Sequence, residues 1–81
     1  MLPIIKIYTA PYCNYSHAAK NFLTENGVVY EEVDVTMDID AYHEMVDKSH
    51  QSAVPVIEAG HHIFAGFNKQ ELKEVLNIKE G

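Results

Sequence analysis

The chain holds a single cysteine, Cys13, in 81 residues. No internal disulfide can form, so a small disulfide-stapled scaffold is excluded. A zinc site built from several thiolates is excluded for the same reason. A chain this short, without staples, must be held together by regular elements packed on one apolar core. Hydrophobic residues make up 47% of it and charged residues 22%, which is ordinary for a globular domain and too apolar for disorder. At the usual rate per residue, net stability is about 4–12 kcal/mol. With no linker, repeat or low-complexity stretch in view, residues 1–81 are expected to form one domain.

Charge narrows the partners. Twelve acidic residues against six basic ones give a formal net charge of −6. No Lys/Arg cluster offers a phosphate-tracking patch, so neither nucleic acid nor an anionic membrane surface is expected. The charge also disfavours acidic partners. No apolar run approaches the roughly 20 residues that span a bilayer. The stretch Met1-Leu2-Pro3-Ile4-Ile5-Lys6 lacks a charged segment followed by an apolar one, so no signal peptide is read there. The expectation is a cytoplasmic monomer in a reducing compartment.

Periodicity sets the element order. Ile4 to Tyr8 reads as a buried strand. From Asn14 the spacing becomes helical, with Tyr15, Ala18, Ala19, Phe22 and Leu23 on one face, and Asn26-Gly27 stops the helix. Val29 to Val35 reads as a second strand, kept from full burial by Glu31, Glu32 and Asp34. Asp38 can cap a second helix in which Ile39, Tyr42, Met45 and Val46 share a face. Val54 to Ile57 and His62 to Ala65 form a hairpin around Ala59-Gly60-His61. Asn68, with Glu71 three residues on and Phe67 positioned to pack on Leu72, starts a last helix whose stripe is Leu72, Val75 and Leu76.

The order is therefore β-α-β-α-β-β-α. A helical crossover makes the first two strands parallel, and the last two pair as an antiparallel hairpin. A four-stranded mixed sheet with three helices, distributed over both faces, uses every element.

Cys13 is the first candidate for chemistry. A lone cysteine is most often a buried small hydrophobe. Cys13, however, follows a strand and a Pro-containing turn and immediately precedes a helix. There a sulfur faces unpaired N–H groups and the positive end of the helix dipole, which favour thiolate over thiol. Ser16 lies one helical turn on, where its hydroxyl can donate to the sulfur, although taken alone a plain first-turn serine is the favoured reading. Lys20 is a turn further and reads as a solvated helix-face residue. Val54-Pro55 is either an ordinary strand start or a cis peptide that turns Val54 toward Cys13. Gly66-Phe67-Asn68 opens the last helix and reads either as a turn plus cap or as an anion site suited to a carboxylate. The histidines have no ligand spacing: His61 and His62 point to opposite faces of a strand, and His17, His43 and His50 are scattered. Asp34, Asp38 and Asp40 read as caps and surface.

The segment Ile7-Tyr8-Thr9-Ala10-Pro11-Tyr12-Cys13-Asn14-Tyr15-Ser16, followed by Val54-Pro55-Val56-Ile57 and Gly66-Phe67-Asn68, resembles the glutaredoxin family of the thioredoxin fold. The likeness covers essentially the whole chain, and the stretch from Val54 to Leu76 looks most like small bacterial glutaredoxin-like proteins. It implies a thiol–disulfide oxidoreductase with Cys13 as nucleophile, Ser16 beside it and Pro55 as a cis-proline. The backbone of Val54 would pair with the cysteinyl part of glutathione. Tyr15 would line the site, Gly66, Phe67 and Asn68 would receive the γ-glutamyl carboxylate, and Gln51 would lie near the glycine carboxylate. Glutathione would be a co-substrate, with no permanently bound cofactor and no metal. Partners would be glutathionylated proteins or small disulfides.

Two departures shape the expected mechanism. Ser16 stands where dithiol members have a second cysteine, and Ala10 where many members have a lysine that helps bind glutathione. The first reading is a monothiol enzyme that reduces glutathione mixed disulfides. The second is a module holding a [2Fe–2S] cluster between two subunits, a use associated mainly with Cys-Gly-Phe-Ser. The third takes Ser16 as a replacement for cysteine, or Cys13 for selenocysteine. An electron supply from a flavoprotein reductase, as in the glutaredoxin-like donors of ribonucleotide reductase, also remains open.

Overall fold

The computed structural model describes residues 4–78. Its elements are β1 (Ile5–Thr9), α1 (Asn14–Glu25), β2 (Tyr30–Asp34), α2 (Ile39–Ser49), β3 (Val56–Ala59), β4 (His62–Ala65) and α3 (Lys69–Leu76). The sheet order is β2-β1-β3-β4. β1 runs parallel to β2, with Ile5 opposite Tyr30, and antiparallel to β3, with Ile7 opposite Ile57. β3 and β4 form an antiparallel hairpin across Gly60-His61, Gly60 taking a φ of 62°. Both the fold class and the element order expected from the sequence are found.

Two cores lie on opposite faces of the sheet, as strand alternation requires. On one face Ile5, Ile7, Ile57 and Ala59 meet Ala19, Phe22 and Leu23 of α1 and Leu72 and Leu76 of α3. On the other, Tyr8 and Val56 meet Met45 of α2, flanked by Tyr42 and Val46. The central position of β1 and β3 explains why both are nearly free of exposed residues, whereas the edge strand β2 carries Glu31 and Glu32 to solvent.

The bounds of β1 and β2 shift by a residue, to Ile5–Thr9 and Tyr30–Asp34, and three further differences from the sequence reading bear on the site. β3 begins at Val56, not Val54. Pro55 has no N–H to give the ladder, although its carbonyl still accepts from the Gly66 N–H at 2.8 Å. The buried stripe of α1 is Ser16, Ala19, Phe22 and Leu23, with Tyr15 71% exposed and Ala18 in solvent. The helix is thus turned so that a polar Ser16 takes the place expected for an aromatic ring. In α2 the buried residues are Ala41 and Met45, while Ile39 is 65% exposed.

The helix starts follow their capping residues. The Asp38 carboxylate accepts from the N–H groups of Asp40 and Ala41, and the Asn68 side chain accepts from the Glu71 N–H at 3.1 Å. Each satisfies donors that a helix start would otherwise leave unpaired. Phe67 packs against the core beside Leu72 and meets the Phe22 ring at 5.8 Å. Asp34 closes the loop before α2 by accepting from the N–H and hydroxyl of Thr36.

Candidate active site

Cys13 is the N-cap of α1, with extended backbone (φ −93°, ψ 115°). Two bonds put it there. Its N–H donates to the Ala10 carbonyl at 3.1 Å, closing the turn after β1, and its carbonyl accepts the first helical bond from the His17 N–H at 3.3 Å. The side chain is half-buried and unpaired with any other sulfur. As a thiol it makes no capping bond to the helix; its S–H instead donates to the Val54 carbonyl at 3.6 Å.

Ser16 lies under the sulfur, fully buried. Its hydroxyl has no hydrogen-bond partner, which is uncommon for a buried polar atom. The Ser16 hydroxyl is also the largest influence lowering the Cys13 pKa below its ordinary value. Burial opposes it, and the N–H groups of Ser16 and Tyr15 add to it. The two observations fit together. While the sulfur carries its proton it points to Val54, and Ser16 is orphaned; once ionised, the sulfur becomes the acceptor that Ser16 lacks.

Val54-Pro55 is a cis peptide, the one of its two sequence readings that the resemblance to glutaredoxins implies. It brings the Val54 carbonyl to Cys13 and sets Val54 between two clefts. One, of about 370 Å³, is lined by Tyr15, Val54, Pro55, Gly66, Phe67 and Asn68, together with Ala65. These six residues are the substrate-binding candidates from the sequence, with Gln51 the exception. Gln51 lines neither cleft; its N–H and carbonyl are bound to the Ser49 hydroxyl at the end of α2. The second cleft, of about 550 Å³, holds Cys13 itself with Tyr12, Ile39, Tyr42 and Ala53. Its walls escaped the sequence reading, which put Ile39 and Tyr42 on one apolar face of the second helix with Met45. Tyr12, 79% exposed, and Ile39 are large apolar side chains left in solvent beside a nucleophile. No residue lining either cleft is charged.

The Gly66-Phe67-Asn68 segment is less open to an anion than its sequence implies. The Gly66 N–H is already bound to Pro55, and Asn68 caps Glu71. Gly66 sits at φ 96° with open space where a Cβ would be, so backbone conformation is what calls for glycine here. Lys20 is not a solvated lysine. It pairs with Glu32 at 2.9 Å, and the same carboxylate oxygen accepts from the Thr9 hydroxyl. Ala10 is buried.

A polar cluster behind the sheet was also missed. The Tyr8 hydroxyl donates to Glu44, which also pairs with Lys6 at 2.9 Å and Lys48 at 3.1 Å, and Lys48 reaches Glu58 at 3.2 Å. The signal was present: Lys6 and Tyr8 alternate with Ile5 and Ile7, and Glu44 and Lys48 have helical i,i+4 spacing. The cluster ties α2 to β1 and β3. Among the described residues no group of three or more His, Cys, Asp or Glu is placed to hold a metal ion, and no helix is long and apolar enough to cross a membrane.

A strand–turn–helix that presents a cysteine at the helix start, beside a cis-proline, defines a thioredoxin-fold redox protein. The comparisons agree. Residues 5–63 match the family model for glutaredoxin. An uncharacterized glutaredoxin-like 8.6 kDa protein in the rubredoxin operon of Clostridium pasteurianum is 36% identical over 73 residues, covering 90% of this chain and 97% of that one. Among solved structures, the thioredoxin-like protein BC3987 superposes with a TM-score of 0.84 at 32% identity, covering 89% of this chain and 99% of the other. NrdH-redoxin from Escherichia coli, a glutaredoxin-like protein described as having a thioredoxin-like activity profile, gives 0.80 at 25%, covering 88% and 92%. The chain belongs to the glutaredoxin family.

Proposed function

We propose that this protein is a monothiol thiol–disulfide oxidoreductase that reduces glutathione mixed disulfides. Cys13 attacks the glutathione sulfur of a mixed disulfide. A Cys13–glutathione disulfide forms, the original S–S bond breaks, and the partner leaves as a thiolate that takes a proton from water. A second glutathione thiolate then attacks the glutathione sulfur on Cys13, releasing oxidised glutathione and the Cys13 thiolate. Each step is a two-electron exchange between sulfurs, and no resident cofactor is needed. Thiolate character at the attacking sulfur governs the rate.

The observation that carries this reading is the position of Cys13. It caps α1 over the Ser16 hydroxyl, which lowers its pKa, and touches Val54, which the two clefts share. Glutathione bound through the smaller cleft would lie along Val54, with its γ-glutamyl end toward Phe67 and Asn68. The test follows reduction of the glutathione–hydroxyethyl disulfide as glutathione is varied. Saturable turnover with little reduction of insulin is expected.

A second reading has its own support. Neither cleft supplies a cation for the glutathione carboxylates, and one similar structure is the NrdH-redoxin, described by its thioredoxin-like activity profile. On this reading the larger uncharged cleft meets a protein disulfide, Cys13 takes one of its sulfurs as a Cys13–protein disulfide, and the thiol pair of a flavoprotein reductase breaks that bond, freeing both sulfurs as thiols and leaving the reductase oxidised. Turnover with NADPH and thioredoxin reductase, and none with glutathione, would select it.

A further inference from the structure

His17 stands outside every role above. It is in the first turn of α1, four residues past Cys13, with an exposed ring. Its Nε2 lies 3.0 Å from the Pro11 carbonyl. A carbonyl only accepts, so Nε2 carries the proton and donates it. That assigns the tautomer of the neutral ring, and the protonated ring donates through the same atom.

The bond reaches the segment that sets Cys13. The turn Ala10-Pro11-Tyr12-Cys13 is closed by one backbone bond, from the Cys13 N–H to Ala10. Pro11 has no N–H with which to tie its own end. His17 supplies a second tie, from the side chain of the helix back to the middle of the turn. The same residue gives its backbone N–H to the Cys13 carbonyl. It therefore holds the chain on both sides of Tyr12, at Pro11 and at Cys13.

We infer that His17 is a positioning residue for Cys13: its ring clamps the Pro11 carbonyl and so keeps the sulfur at the helix start, over Ser16 and against Val54. This rests on Cys13 being the nucleophile. The clamp acts as a hydrogen-bond donor at a fixed reach and not as a charge, which separates it from a histidine that would act through its positive form.

Reach gives the experiment. In glutamine the side-chain amide nitrogen is as many bonds from Cα as Nε2 is in histidine; in asparagine it is one bond short. His17→Ala, His17→Asn and His17→Gln are compared by the pH midpoint of Cys13 alkylation with iodoacetamide and by turnover of the glutathione–hydroxyethyl disulfide. Loss of one hydrogen bond is expected to slow alkylation at pH 7 by about two- to tenfold in the Ala and Asn variants, with the midpoint moving up. His17→Gln restores both readings. Alanine is the stronger helix former, so an unchanged or higher melting temperature in His17→Ala separates the effect from unfolding. Wild-type behaviour in His17→Ala overturns the inference, as does a Gln variant that behaves like Ala. An ordinary thiol midpoint in the unmodified protein instead removes the nucleophile reading before any variant is compared.

Discussion

The Ser16 hydroxyl lies buried beneath Cys13 without a hydrogen-bond partner, and it is the main cause of the lowered Cys13 pKa. The same atom is thus unsatisfied while the sulfur is protonated and satisfied when the sulfur is charged. Ser16→Ala separates the two consequences. Removing a buried orphan polar atom stabilises the fold by about 1 kcal/mol, worth roughly 4–8 °C in melting temperature for a domain of this size. Losing the donor raises the Cys13 pKa and slows alkylation at pH 7 by about two- to tenfold. A variant that is less stable and equally reactive would show that the hydroxyl does not serve the sulfur.

Glu44 makes stability depend on acid. The Tyr8 hydroxyl, then Lys6 and Lys48, hold its pKa down at about 2, against an ordinary value near 4.5. A carboxylate lowered in the folded state contributes stability that is fully present above its unfolded pKa and is lost as pH falls toward about 2. The ceiling is about 3 kcal/mol; with the Glu44 side chain 42% exposed, solvent screening leaves about 1 kcal/mol. At the other end of the scale, burial disfavours the charge on Lys48, but its bonds to Glu44, Glu58 and Tyr8 outweigh that and raise its pKa. Urea unfolding of wild type and Glu44→Gln at pH 6 and pH 2.5 reads the acid limb. The wild type loses about 1 kcal/mol more than the variant over that range. Parallel losses would mean that Glu44 is not coupled to the fold.

The two faces of α2 are distinguished by truncation. Met45 is fully buried between the helix and Tyr8, so Met45→Ala costs about 2–5 kcal/mol. Ile39 is 65% exposed at the cleft that holds Cys13, so Ile39→Ala changes stability by less than about 0.5 kcal/mol. On the proposed function its effect falls instead on turnover with glutathionylated proteins, through the lost apolar wall. A stability loss at Ile39 comparable to that at Met45 would put the residue back in the core.

Most of the fold was legible because local signals agreed with one another. Asp38 and Asn68 sit where a helix must be capped, Gly60 where the hairpin turns, and Ile7, Tyr8, Val56 and Ile57 alternate so that a sheet covered on both faces buries them all. Cys13 was legible for a related reason, since a strand, a proline turn and a helix start fix its surroundings without long-range information. The failures share a cause too. Periodicity says that one helix face is apolar, but not where the helix is turned against its neighbours. Tyr15 and Ile39 therefore read as parts of apolar helix faces and are exposed, and the full burial of Ser16 beneath Cys13 was not legible. The Tyr8–Glu44 contact joins residues 36 apart in sequence, and nothing local aims one at the other. Gln51 lies outside both clefts, on a stretch after α2 whose backbone is bound to the Ser49 hydroxyl.

The buried position of Ser16 also decides what a second thiol would do there. Ser16→Cys exchanges one small side chain for another at a site one helical turn from Cys13, so the fold should be kept with a change in stability within about 1 kcal/mol. The chemistry should change more. In the proposed mechanism a protein bound through Cys13 as a mixed disulfide is released only by an outside thiol. With a thiol at position 16, the mixed disulfide is attacked from within. The Cys13 sulfur becomes the partner of the new sulfur, and the protein leaves as a thiolate. Insulin reduction should therefore rise by at least about tenfold, as expected when a step between two molecules becomes internal. Turnover of the glutathione–hydroxyethyl disulfide should change little, because glutathione itself resolves that intermediate. The decisive pair of measurements is insulin turbidity and hydroxyethyl disulfide reduction on the same two proteins. If wild type already reduces insulin as fast as Ser16→Cys, a resolving thiol is not the limiting element, and the monothiol mechanism fails.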